Sequence, residues 1–231
     1  MKLFIDDANV DFIRHALEYY PIDGVTTNPA ILSKAEGGPV EVLKTIRSLL
    51  NEEQLLFVQV IDTTYEGMLQ DAHAITNSLG RDTIVKIPVT REGIRAIKTL
   101  SAEGIRTCGT VVMTPMQAYL AAKAGASFVA PYVNRIDNMG YHGFDAVSDI
   151  QAILDASDYN CDVLVASFRN TQQVQDLAAL GVGAATISEA VFEKIIPDSM
   201  IDESVKTFGE AFFGKTNKTS MADLLNNKRT D

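Results

Sequence analysis

Thr83-Ile84-Val85-Lys86-Ile87-Pro88-Val89 is an apolar, β-branched run interrupted by a single cation. It reads as a buried strand of a parallel sheet. Residues 91–102 follow it with the apolar spacing of an amphipathic helix. Strand then helix is one βα unit, and the same alternation runs along the whole chain. Strands are expected at 3–6, 24–27, 56–60, 84–88, 107–111, 128–133, 163–167 and 184–187. Helices are expected at 10–19, 40–50, 66–79, 91–102, 115–124, 146–156, 171–180 and 189–195, with apolar positions such as Val42, Ile46, Leu49 and Leu50 in register. Gly104, Gly125 and Gly181 each stand between a helix and the next strand, where a left-handed cap is expected. Eight such units predict an α/β chain folded as a (β/α)8 TIM barrel. The competitor, a doubly wound open sheet, lacks a Gly-x-Gly-x-x-Gly turn after its first strand.

The remainder bounds the function. A net charge of −10 without a basic block argues against nucleic-acid binding. No apolar run nears the roughly 18 residues that span a membrane. Lys2-Leu3-Phe4-Ile5 opens as a strand with no signal-peptide pattern, so a cytoplasmic location is expected. Cys108 and Cys161 lack metal-ligand spacing, and His15, His73 and His142 are scattered, so no metal is expected. Residues 1–200 are assigned to the barrel, and 201–231 to a C-terminal helix and tail. The helix, near 202–213, carries Val205, Phe208, Phe212 and Phe213, which call for cover from a neighbouring subunit or from the parent barrel. Residues 226–231 are expected to fray.

In a barrel of this kind the active site lies at the C-terminal strand ends. There the sequence puts Asp6, Thr26-Thr27-Asn28, Gln59, Lys86, Thr110, Tyr132 with Asn134 and Arg135, and Ser167 with Arg169. Any one of them could be a cap or turn residue, as Asn28-Pro29 would be regardless of function. Seven consecutive strands ending in polar groups is a pattern that chance supplies poorly. Lys86 is the chemical centre. Burial disfavours a charged ammonium, and the neutral amine is the form that adds to a carbonyl. The alternative is a lysine that snorkels to the surface or pairs with a carboxylate. Arg135 and Arg169 suit a phosphate, although either alone could be a surface ion pair.

The motifs Leu3-Phe4-Ile5-Asp6, Gly24-Val25-Thr26-Thr27-Asn28-Pro29, Val85-Lys86-Ile87-Pro88-Val89-Thr90, Ala130-Pro131-Tyr132-Val133-Asn134-Arg135-Ile136-Asp137 and Ala166-Ser167-Phe168-Arg169 stand in this order along the chain. On these motifs the sequence resembles the transaldolase family, and within it the fructose-6-phosphate aldolase-like branch. The resemblance implies a class I aldolase mechanism without metal or organic cofactor. It implies Lys86 as Schiff-base former, and Asp6 and Asn28 as ligands of substrate hydroxyls that assist proton transfer. Thr26 and Ser167 would line the dihydroxyacetone end. Gln59, Thr110 and Tyr132 would hold a catalytic water, with Tyr132 as proton donor, while Arg135 and Arg169 would bind the sugar phosphate. Ring-like homo-oligomers, pentamers or decamers, are implied as well, the C-terminal helix reaching onto a neighbour.

Transaldolases of this family tend to carry Glu at the position of Gln59 and Phe at that of Tyr132, so this pair resembles the aldolase branch. Ser167-Phe168-Arg169 is worded more as in transaldolases, and Tyr141-His142 occupies a loop on the phosphate side. A deoxyribose-phosphate-type aldolase is a weaker alternative, because Lys98, the nearest second lysine, falls in a helix. A non-catalytic sugar-phosphate-binding oligomer is the remaining one.

Overall fold

Inward- and outward-facing residues alternate along the strands, with a break late in the fifth, and that alternation builds the molecule. The structure, a computed structural model, describes residues 1–196 and 198–226. Its strands are β1 (Lys2–Asp6), β2 (Gly24–Thr26), β3 (Leu55–Gln59), β4 (Ile84–Pro88), β5 (Thr107–Val112), β6 (Phe128–Pro131), β7 (Asp162–Val165) and β8 (Ala184–Ile187). Each pairs in parallel with the next, and β8 pairs with β1, so the sheet closes into a barrel. Between the strands run α1 (Val10–Tyr19), α2 (Pro29–Leu32), α3 (Pro39–Leu49), α4 (Tyr65–Leu79), α5 (Arg91–Ala102), α6 (Pro115–Lys123), α7 (Val133–Asn138), α8 (Gly143–Asp155) and α9 (Thr171–Leu180), and α10 (Glu189–Phe192) follows β8. This is the expected (β/α)8 barrel.

Outward strand residues pack beneath the helices. Ile5, Val25, Leu56 and Ile187 meet Phe12, Ile13, Ile46 and Val174 on one side. Val85, Ile87, Val129 and Val163 meet Ile97, Leu100, Ala121 and Ile150 on the other. Inside the barrel lie Phe4, Phe57, Ile84, Cys108, Phe128, Leu164 and Ala184. Phe57 stacks edge-to-face with both Phe4 and Phe128, each at 5.1 Å between centroids. Burying a side chain of this size stabilises the fold by about 2–3 kcal/mol. Two residues further along their strands come Asp6, Gln59, Lys86, Thr110 and Thr186. The interior is thus apolar below and polar at its C-terminal mouth.

Polar strand ends also start helices. Asn9, Asn28, Thr64, Thr90, Thr114 and Asn170 each accept a hydrogen bond from a backbone N–H of the first helical turn that follows. Gly93, within the first turn of α5, sits so close to β4 that a Cβ there would lie 1.9 Å from the Pro88 carbonyl oxygen. The helix therefore seats directly on the end of the strand that carries Lys86. Gly104, Gly125 and Gly181 have φ of 73°, 101° and 88°, the left-handed turns expected of them.

Four expected strands ran too long, the second and third by one residue and the sixth and seventh by two. The sixth stops at Pro131 instead of residue 133: Tyr132 keeps one isolated parallel bridge to Ala166, and its carbonyl then accepts the N–H groups of Arg135 and Ile136, which opens α7. The seventh stops at Val165 instead of residue 167, where Ser167 turns left-handed with φ 64°. Arg135 is consequently a helix residue.

The chain divides into two compact units, Met1–Phe192 and Glu193–Asp231. The second holds α11 (Asp198–Thr216), longer at both ends than the helix expected at 202–213, and α12 (Met221–Leu225). Within it Val205, Phe208 and Phe213 are exposed and Phe212 is partly buried. The fraying expected of 226–231 lies, beyond Asn226, outside the described residues. Among the described residues no helix is long and apolar enough to cross a membrane.

Candidate active site

Lys86 points up the barrel from the middle of β4, only 3% exposed, and its Nζ donates to the Thr27 carbonyl oxygen at 2.9 Å. It neither snorkels to solvent nor pairs with a carboxylate, for among the described residues the ion pairs lie elsewhere. Thr27 is itself held, its N–H and hydroxyl both donating to the Phe57 carbonyl. The acceptor facing Lys86 is therefore fixed by β2 and β3 together. Lys86 is paired in register with Gln59 on one side and Cys108 on the other. Burial pushes the Cys108 thiol up to about 12, against the opposing pull of Lys86, so it stays neutral and adds no charge beside the amine.

Above Lys86 opens a cavity of about 350 Å³ lined by Asp6, Asn28, Gln59, Lys86, Tyr132, Arg135 and Ser167 among others. It leads into a wider cleft of about 820 Å³ that shares Asp6, Asn28 and Arg135 and extends to Lys34 and Ser188. Two buried threonines stand behind this lining. Thr26 Oγ1 donates to Asp6 Oδ1 at 2.6 Å and lies 2.7 Å from Thr186 Oγ1. The single hydroxyl proton of Thr26 goes to Asp6, so Thr186 is the donor in the second bond. The chain Thr186, Thr26, Asp6 fixes one carboxylate oxygen and leaves the other for a ligand. Across the cavity, Thr110 Oγ1 and Tyr132 Oη are 3.1 Å apart, both buried. The Arg135 guanidinium lies 4.8 Å from the Tyr132 ring centroid, in cation–π range.

Of the residues selected from sequence, Asp6, Asn28, Gln59, Lys86, Tyr132, Arg135 and Ser167 are thus brought to one cavity, with Thr26 and Thr110 supporting it. Arg169 lines neither space. It is exposed, and its backbone N–H donates to Gln173 Oε1 at 2.8 Å. Asn28 does double duty, since its Oδ1 caps α2 by accepting from Ile31 N–H at 3.0 Å while its amide group remains free to face the cavity. Sequence reading missed Thr186, the Thr27 carbonyl and Val111, a cavity-lining residue with φ 60°. Thr186 was legible in principle as the inward position two after Ala184. Among the described residues no group of three or more His, Cys, Asp or Glu side chains is placed to hold a metal ion. An amine, a carboxylate, a phenol and an amide around one cavity form a set suited to capturing a carbonyl and moving protons around it.

Comparison with known proteins bears on the family and the fold. Residues 3–230 match the family described as transaldolase/fructose-6-phosphate aldolase. A probable transaldolase of Petrotoga mobilis is 40% identical over 208 residues, covering 90% of this chain and 93% of that protein. Another from Thermoplasma acidophilum is 40% identical over 211 residues, covering 91% of this chain and 94% of that protein. Among solved structures, a putative fructose-1,6-biphosphate aldolase from Coccidioides immitis superposes with a TM-score of 0.57 at 16% identity, covering 96% of this chain and 92% of that one. A mutant flavocytochrome b2 gives a TM-score of 0.59 at 10% identity, covering 81% of this chain and 56% of that one. Identities this low speak to the barrel fold alone. The family match and the two relatives, each spanning nearly the full length, carry the assignment: the chain belongs to the transaldolase/fructose-6-phosphate aldolase family.

Proposed function

We propose that the protein is a Schiff-base aldolase that reversibly cleaves fructose 6-phosphate to dihydroxyacetone and glyceraldehyde 3-phosphate. Nζ of Lys86 adds to the C2 ketone, and loss of water gives an iminium. The C3–C4 bond then breaks as the C4 hydroxyl loses its proton to Asp6, and its electron pair stays on the three-carbon unit as an enamine. Tyr132 returns a proton to C3, and hydrolysis by a water held by Gln59, Thr110 and Tyr132 frees dihydroxyacetone and the amine. Asn28, Thr26 and Ser167 serve the three-carbon end, Arg135 the phosphate, with Arg169 assigned to it from resemblance. Substrates are small sugar phosphates, and the working form is a homo-oligomer, pentameric or decameric, that acts in the cytoplasm as part of carbohydrate metabolism.

The observation that carries the aldolase reading is the Tyr132 hydroxyl, held 3.1 Å from Thr110 Oγ1 at the wall of the Lys86 cavity. A phenol there supplies the proton that releases the ketone, whereas a phenyl ring would leave the enamine waiting for a second aldehyde. The relatives named probable transaldolases favour the second reading, transfer of the three-carbon unit to an acceptor sugar phosphate. Incubation with fructose 6-phosphate alone separates the two. Free dihydroxyacetone accumulates if the protein is an aldolase, and product that appears only after erythrose 4-phosphate is added rules that reading out.

A further inference from the structure

Val111 interrupts the alternation of β5. Cys108 faces the barrel interior and Thr110 reaches Tyr132, yet Val111 lines the cavity as well, while Val112 is buried on the outer face among helix residues. Two consecutive inward residues mark a β-bulge, and the pairing of β5 with β6 slips between Gly109 and Val112 accordingly. The backbone at Val111 is left-handed, φ 60°, a region that a β-branched residue seldom enters and occupies only when its surroundings hold it there.

The extra residue lets one strand hold Tyr132 at both ends. The Val112 carbonyl accepts the Tyr132 N–H at 3.1 Å, and the Thr110 hydroxyl meets the Tyr132 hydroxyl at 3.1 Å. On the far side, Ser167, also left-handed at φ 64°, accepts the N–H of Asn134 at 3.1 Å. Tyr132 therefore sits between two strained residues that both line the same cavity.

We infer that Val111 is a positioning residue: its left-handed backbone, more than its side chain, sets the Tyr132 hydroxyl over Lys86. The inference rests on the proposed aldol chemistry for its kinetic consequences and on the bulge alone for its conformational ones. Val111→Gly and Val111→Ala both remove the side chain, but only glycine accepts the left-handed conformation without strain. The glycine variant is expected to melt higher than the alanine variant and to keep the higher kcat. Val111→Pro, with φ fixed near −65°, is expected to lose kcat about 100-fold, the scale of a lost proton donor, with KM little changed. Borohydride should still trap the Lys86 adduct in that variant. Combining it with Tyr132→Phe should add no further loss.

An alanine variant at least as stable and as active as the glycine variant overturns the inference, and so does a proline variant with unaltered kcat. If the proline variant does not fold, the glycine–alanine order decides. Failure of the unaltered protein to trap any adduct would instead refute the aldolase reading, while the melting order still judges the strain.

Discussion

Gln173 Nε2 donates to Asp137 Oδ2 at 2.8 Å and so joins the first turn of α9 to α7. The other end of the same amide, Oε1, accepts the Arg169 N–H, and the other oxygen of Asp137 accepts the Gly143 N–H at 2.8 Å. One side-chain pair thereby ties the loop after β7 to the helix that carries Arg135 and to the start of α8.

Gln173→Glu should break this tie by facing two carboxylates, at a cost of about 1–2 kcal/mol, or roughly 5–30-fold. The loss is expected in KM for phosphorylated substrate. Adding Asp137→Asn restores a donor opposite the new acceptor, and the double variant should recover most of the loss. Kinetics on both variants check this; additive losses would show that the pair does not couple the two elements.

Lys86→Arg should abolish turnover and borohydride trapping while circular dichroism stays barrel-like, because a guanidinium remains protonated and forms no imine. Turnover in that variant would remove the covalent mechanism.

Tyr132→Phe keeps the ring beneath Arg135 and deletes the hydroxyl bonded to Thr110. Release of dihydroxyacetone should fall about 100-fold, and the share of product formed with an added aldose phosphate should rise. Thr110→Val, which leaves the phenol in place without its partner, should cost less. Equal losses would place the importance in the pair rather than in the phenol.

Gly93→Ala drives a methyl group into the Pro88 carbonyl and should destabilise the barrel by about 1–3 kcal/mol. Urea denaturation measures it. Unchanged stability would mean that α5 can slide off the end of β4 at no cost.

The thiol of Cys108, raised to about 12 by burial, predicts alkaline sensitivity. Its folded value exceeds its unfolded one, so its contribution to stability is complete below about pH 9 and is lost as pH rises towards 12. The urea midpoint should decline through that window, and less steeply in Cys108→Ala. Cys161 shifts in the same direction through burial, so some slope should remain. Identical slopes in the two proteins would refute the assignment.

The barrel was legible because its signals are local. In β4, apolar residues flank one lysine and helix-capping Thr90 follows, so both strand ends came out where the structure has them. β6 came out only at its start, since the break in Phe128-Val129-Ala130-Pro131-Tyr132-Val133, a proline with no N–H to donate, was passed over, and the strand ends at Pro131. Beyond it Tyr132 makes one isolated bridge to Ala166, a residue more than 30 positions away, and its carbonyl already accepts the first helical N–H groups of α7. α2, four residues long, is too short to show a period. Arg169 was grouped with the mouth by assuming that β7 ran to residue 167. The strand stops at Val165; Ser167 still lines the cavity, while Arg169 is exposed and lines neither space. Backbone groups such as the Thr27 carbonyl leave no trace in side-chain identity, and a left-handed valine leaves none either.

The edge-to-face stack of Phe57 with Phe4 and Phe128 plugs the lower end of the cylinder. The cavity at Lys86 opens away from that plug, into the wider cleft. On the aldol chemistry proposed above, the water expelled when an imine forms shares that opening with the sugar. An occupied vestibule would hold the water near the carbon it left, so the same oxygen atom stands ready to return when the three-carbon product departs.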